Sequence, residues 1–194
     1  PLFPLGTVLF HGGHLPLRIF EPRYLDMISR CMRQQKGFGV VLIRSGSDAR
    51  FSPDASQPEI FQVGTEAEII DFNQLKEGML GIVARGRRKF RIRETYEETD
   101  HLLVGRVEFL PDEPRSELRP EHQPLVDLLL QLVKHPMVQQ LNLQVDFDDS
   151  RSVGWRLAEL LPNIEPEIKQ SLLQLQWPGE RLAELTRLVN KLRG

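Results

Sequence analysis

Apolar and polar positions alternate at Leu15, Leu17 and Ile19, with Pro16 and Arg18 between them. That is the period of a strand with one buried face. The pattern then changes within three residues. Glu21-Pro22 comes next, and a proline fits the first turn of a helix because its φ is fixed and its missing N–H is not needed there. Beyond it Tyr24, Leu25, Ile28 and Met32 recur at helical spacing, with Arg23, Asp26, Arg30 and Arg33 between them. The spacing predicts a helix from about Pro22 to Gln35, closed by Lys36-Gly37.

Around this switch the first part of the chain reads as short apolar segments separated by turns. Leu2-Phe3 and Thr7–Phe10 precede the turn His11-Gly12-Gly13-His14. Phe38–Ile43 is a dense apolar strand, and residues 45–58 have the Ser, Asp, Pro and Gly content of a surface loop. Phe61 to Ile70 predicts another strand, with Gly64 as a bend or bulge. Leu75–Gly78 reads as a hairpin turn, Met79–Ala84 and Phe90–Ile92 as strand, and Leu102–Phe109 as a further strand. Strands at this spacing predict a curled sheet or small barrel with one inserted helix.

The pattern shifts at the charged, proline-flanked stretch Leu110–Ser116. After it the apolar positions fall at helical spacing: Leu125–Val133, Val153–Leu161, Ile168–Leu175 and Leu182–Leu192. Pro166 and Pro178 stand where helices would start. Residues 136–149 have no clear period, and Val145–Asp149 reads as loop. The expected fold class is therefore α+β, with a β-rich domain over residues 1–115 and a helical subdomain over residues 116–194.

The 194 residues carry a net charge of −2 and 27% charged side chains, ordinary for a soluble domain and too balanced to attract nucleic acid or a membrane by global charge. No apolar run approaches the roughly 20 residues needed to span a bilayer. There is one cysteine, Cys31, on the predicted helix; this points to a cytoplasmic setting and to a buried core residue rather than a nucleophile.

Candidate chemistry is sparse. No Gly-Lys dipeptide exists, so a P-loop is excluded, and neither a G-x-S-x-G elbow nor an H-E-x-x-H helix is present. His11 and His14 lack a third ligand in sequence, and Asp146, Asp148 and Asp149 lack the glycine and distal glutamate of a calcium loop. The chain is expected to have no catalytic residues, no metal site and no cofactor. The most charged stretch is Arg85–Arg93. On a strand, Phe90 and Ile92 would face inward while Arg87, Lys89, Arg91 and Arg93 offered a basic contact stripe for RNA or a phosphate-bearing small molecule. Without an aromatic stacking platform, and with Glu94, Glu97, Glu98 and Asp100 nearby to neutralise it, this is the weaker reading.

The residues around the switch carry a resemblance. Pro1–Leu5, Leu15–Tyr24, the stretch from Val63 to Ile92 and the segment Ser171–Leu182 resemble the Lon protease amino-terminal, or substrate-binding, domain family. The likeness covers nearly the whole chain. Two positions depart from the family pattern: His11 and Lys89 stand where proline and arginine are usual. The resemblance implies a PUA-like pseudo-barrel with a helical bundle behind it. It also implies a non-catalytic module that recognises polypeptide substrates or a partner protein, here as a stand-alone member without ATPase and peptidase modules. Its signature residues Arg18, Glu21, Pro22, Arg23 and Tyr24 are read as a lock on the strand-to-helix switch rather than as a contact surface. Binding would use apolar side chains in a groove, with strand addition to an open edge as one mode. Oligomeric state is not readable.

Overall fold

A computed structural model of the chain describes residues 1–49 and 54–194. Residues 50–53 of the expected 45–58 loop lie outside the described residues. The chain divides into two compact units, Pro1–Leu110 and Pro111–Gly194. Residues 111–115, expected to close the β-rich domain, belong to the second unit.

In the first unit the strands are β1 (Leu2–Leu5), β2 (His14–Ile19), β3 (Phe38–Ser45), β4 (Glu59–Ile60), β5 (Val63–Gln74), β6 (Leu80–Glu97) and β7 (Leu103–Phe109), with helix α1 (Pro22–Gln34) between β2 and β3. They form one sheet in the order β1-β3-β5-β6-β2, with β4 added to β3 and β7 to β6. Only β1 and β3 run parallel; the other pairs are antiparallel. The Leu75–Gly78 turn joins β5 to β6 through a 3-10 turn in which Glu77 and Gly78 have positive φ. Thr7–Phe10 is not a strand, although Leu9 and Phe10 are buried.

The dense apolar run of β3 has a simple cause: both of its faces are covered. Phe38 and Val40 join a core with Phe3, Tyr24, Met27, Ile28, Ala67, Ile82 and Ala84. The next residue, Val41, points the other way into a second core with Leu2, Phe90, Ile92 and Leu103. Successive side chains on a strand alternate faces, so a strand between two cores is apolar throughout. Gly64 is not a bend. It pairs in register with Phe90, and a Cβ there would stand 2.5 Å from the Val40 carbonyl and 2.7 Å from the Phe90 ring. The irregularities lie elsewhere. Ile70 is an extra residue on β5, and Arg87 and Arg88 together face Glu66 alone. The first helix ends at Gln35, which takes the left-handed conformation, rather than at Lys36-Gly37.

The second unit holds helices α2 (Gln123–Val133), α3 (Pro136–Gln139), α4 (Ser150–Leu160), α5 (Pro166–Gln174) and α6 (Pro178–Arg193). Pro166 and Pro178 occupy first-turn positions as the sequence predicts, and α3 supplies a short helix where no period was visible. Asp149 caps α4, its carboxylate accepting from the Arg151 N–H at 3.0 Å. The core is built from Leu125, Leu129, Val153, Leu157, Leu172, Leu182 and Leu185. Two buried arginines run through it, and the first, Arg156, faces the Glu159 carboxylate at 3.1 Å. Arg181, fully buried, donates to both carboxylate oxygens of Glu113 at 2.7 and 2.6 Å and to the Leu172 carbonyl at 3.0 Å.

Candidate functional site

The signature residues divide into a buried cluster and an exposed remainder. Glu21 precedes α1 with extended backbone, and Pro22 opens the helix. The Glu21 carboxylate does not cap the helix amides. It accepts instead from Arg23 Nε at 3.0 Å, while the Glu21 carbonyl takes the Tyr24 and Leu25 N–H groups. Arg23 is buried and joins three segments: it also donates to the carbonyls of His101 at 3.1 Å and Asp48 at 2.6 Å. Tyr24 stacks on Phe3 at 4.0 Å between centroids and donates its hydroxyl to the Asp48 carboxylate. Burial first, and then that hydrogen bond to an anion, push the Tyr24 phenol well above its ordinary range. Arg18 is exposed on β2, opposite Gly81, and stands outside this cluster. Asp48, the hub's acidic partner, gives no sequence signal, because it lies in an aperiodic loop.

The predicted basic stripe is broken by the bulge. Two residues facing one separate Arg87 from the rest of the stripe, and Lys89, opposite Thr65, is buried rather than exposed. Arg87, Arg91 and Arg93 are exposed. Their neutralising partners also differ from those expected. Arg85 and Arg87 pair with Glu68 on β5, Arg88 with Glu66, and Arg93 with Glu108 on β7. Glu94 is matched by Arg106 and Glu98 by Arg30. A stripe engaged with carboxylates presents less net field to a phosphate backbone than its composition suggests.

The histidines are accounted for locally. His11 Nδ1 lies 2.9 Å from the Arg87 carbonyl, His122 accepts from the Arg119 N–H, and His135 from the Met137 N–H. Cys31 is buried, and burial raises its thiol pKa, which makes it a poor nucleophile.

The bulge, the end of α1 and the outer half of β5 enclose a groove of about 780 Å³. One wall is the last turn of α1, with Met32, Gln35 and Lys36; the other is β5, with Ile69, Ile70 and Phe72; Arg87, Arg88 and Phe109 close one end. Ile70 and Phe72 are unusually exposed for their type, at 39% and 55%. Such clustering of large apolar side chains marks a contact surface more often than a solvated one. Among the described residues, the ladder from β3 to β5 stops at Ala67, so Glu68–Gln74 is paired on the β6 side only. That open edge is blunted. It is kinked at Ile70, and the Phe72 N–H is taken by the Asp71 carboxylate at 2.9 Å. The groove therefore offers side-chain contacts more readily than a template for an added strand. Its parts come from four separated stretches, which is why no sequence motif marks it.

Comparison with known proteins agrees with this architecture. The family model described as the ATP-dependent protease La (LON) substrate-binding domain matches residues 1–191. The Lon N-terminal domain protein from Xanthomonas campestris is similar in structure, with a TM-score of 0.77, 37% identity and 96% of each chain covered. The N-terminal domain of a Mycobacterium avium complex Lon protease shares the fold, with a TM-score of 0.62 at 16% identity over 95% of this chain and 94% of that one. In sequence, the Lon protease of Cytophaga hutchinsonii is 26% identical over 98% of this chain, which spans 24% of that protein's length. Protein cereblon of Danio rerio is 30% identical over 58% of this chain and 25% of its own. No helix among the described residues is long and apolar enough to cross a membrane. With a family model matching almost its full length and a shared fold, the chain belongs to the Lon substrate-binding domain family.

Proposed function

We propose that this chain is a non-catalytic module that holds segments of unfolded polypeptide in the groove beside β5. The observation that supports this most directly is the exposed Ile70–Phe72 wall facing the end of α1. Family membership supplies the substrate class, since substrates of a Lon protease are polypeptides. In this reading Glu21, Arg23, Tyr24 and Asp48 hold the scaffold and touch no substrate. Affinity comes from burying side chains against Ile70 and Phe72, with Lys36, Glu68 and Arg87 at the polar rim. The setting is cytoplasmic, supported by a single buried thiol.

The test is titration of the ¹⁵N-labelled protein with a reduced, unfolded model polypeptide. Amide shifts are expected at 31–36 and 66–72, and Phe72→Asp should weaken binding by about tenfold or more at unchanged melting temperature. Shifts confined to other regions, or wild-type binding by the variant, would overturn the assignment.

A further inference from the structure

The groove leads into a smaller space of different character. At one end of the curled sheet a slot of about 130 Å³ opens beside Phe109. It shares Gly37, Glu66 and Phe109 with the groove. Its walls are Gly37 and Gly39 of the α1–β3 segment, Gly105 and Val107 of β7, and the Phe90 ring of the second core. Glycine is required around it for a packing reason. A Cβ on Gly39 would stand 2.7 Å from both Leu2 and Phe90, and one on Gly37 would stand 2.4 Å from the Ala67 carbonyl. Backbone and ring edges thus form much of the wall, and the Leu2 and Val107 side chains complete it.

The rim is polar, bordered by Pro1 and Glu66, and the Glu66 carboxylate is already engaged. The Arg88 guanidinium lies 3.6 Å from the centroid of the Phe109 ring and donates to Glu66 at 3.0 Å. The bulge makes this possible, by turning Arg87 and Arg88 outward together opposite Glu66. A charged group entering the slot would lose water and find Arg88 and Glu66 already engaged with each other, whereas an uncharged apolar group gives up no such hydration. On size, an apolar cavity of about 150 Å³ is known to accept benzene. The slot accommodates a group on that scale: one leucine, methionine or phenylalanine side chain.

We propose that this slot is an anchor site for a single large, uncharged apolar side chain of the polypeptide that lies in the adjoining groove. The proposal rests on the polypeptide-binding reading and adds a determinant of specificity to it. The groove holds the chain with little regard to sequence, and the slot sets the register by selecting one residue. An anchor in a desolvated pocket beside a more tolerant surface is the usual distribution of binding energy.

The experiment uses the full chain and a set of 15-residue peptides, identical except for a central Leu, Phe, Ala or Asp. Dissociation constants are read from NMR shifts. The Leu and Phe peptides should bind at least about tenfold more tightly than the Ala peptide, and the Asp peptide most weakly. Their binding should shift the amides of Gly39, Gly105 and Val107. Val107→Phe, which fills the slot, should erase the preference for Leu over Ala. Gly105→Ala, which adds one methyl against the flexible end of Leu2, should reduce it with the fold kept, as judged by an unchanged melting temperature. Equal affinities across the set, a preference that survives both substitutions, or failure of every peptide to bind overturns the slot. A parallel titration with unfolded polypeptide then separates the two ideas. Shifts at 66–72 leave the groove standing without its anchor, and an unchanged spectrum removes both.

Discussion

Each unit has a buried arginine that ties separate segments together, Arg23 in the first and Arg181 in the second, and the two differ in how they are held. Arg181 is met by both oxygens of a single carboxylate, Glu113, which is itself buried, and by carbonyls at the end of α5. Arg23 meets no single dominant partner. It divides its donors among the Glu21 carboxylate, which keeps contact with water, and the carbonyls of two separate loops, with the Asp48 carboxylate a further 3.5 Å ion-pair partner. The first is a paired charge that could in principle be exchanged for apolar atoms. The second is a splice joining a helix start, the Asp48 loop and the turn before β7, and no single substitution elsewhere replaces it. Both tryptophans, Trp155 and Trp177, lie in the second unit and both tyrosines, Tyr24 and Tyr96, in the first, so intrinsic fluorescence can follow each unit separately.

The largest effect is expected at Arg181. Arg181→Ala leaves Glu113 charged and buried, and should cost the second unit about 3–5 kcal/mol in urea unfolding followed by tryptophan emission. Replacing the pair together, Arg181→Met with Glu113→Leu, should recover most of that loss. If the double variant is as unstable as the single, the two arginines are alike after all. Arg23→Ala should cost the first unit about 2–4 kcal/mol by tyrosine emission, and adding Asp48→Leu should recover none of it, because the orphaned partners include backbone carbonyls.

Tyr24→Phe should cost about 1–2 kcal/mol at neutral pH. It also carries a pH signature. The folded phenol has a raised pKa, so above about pH 10 the unfolded chain loses a proton that the folded chain retains. Stability is therefore intact below pH 10 and falls as pH rises beyond it, and the variant should flatten that alkaline limb. Asp149 behaves oppositely. Burial alone would raise its pKa, but the Arg151 hydrogen bonds prevail and hold it below the usual carboxylate range. Its contribution is present above about pH 4 and is lost as pH falls further; Asp149→Asn should remove this acid limb while keeping the helix cap, whereas Asp149→Ala should also cost about 1 kcal/mol of capping energy. The smallest effect belongs to the exposed Arg93–Glu108 pair, where Arg93→Ser should change stability by less than about 0.5 kcal/mol.

The strand-to-helix switch was legible because its information is local. Alternation from Leu15 to Ile19, a proline at the first helical position and the apolar face of α1 are all set within neighbouring turns. The helical faces of the second unit were legible for the same reason. What escaped depends on distant partners. Glu113 reads as linker charge until Arg181 is placed beside it. Lys89 reads as exposed with Arg91 and Arg93, but it lies opposite Thr65 and is buried there, a covering that only the paired strand supplies. Gly64 reads as a bend although its task is to leave room for Phe90. The groove and the slot are assembled from α1, β5, β6 and β7, so no run of residues announces them.

The 18-residue strand β6 has a consequence for the order of events during synthesis. It is the hydrogen-bonded neighbour of β2, β5 and β7. Strand β2 pairs with residues 80–85, so it leaves the ribosome well before its partner exists. Until β6 emerges, α1 and β3 hold apolar faces with only part of their cover. Contacts this far apart in sequence slow closure and prolong exposure of unpaired edges. A module proposed to hold unfolded polypeptide thus passes, while being made, through a stage in which its own first half resembles such a segment.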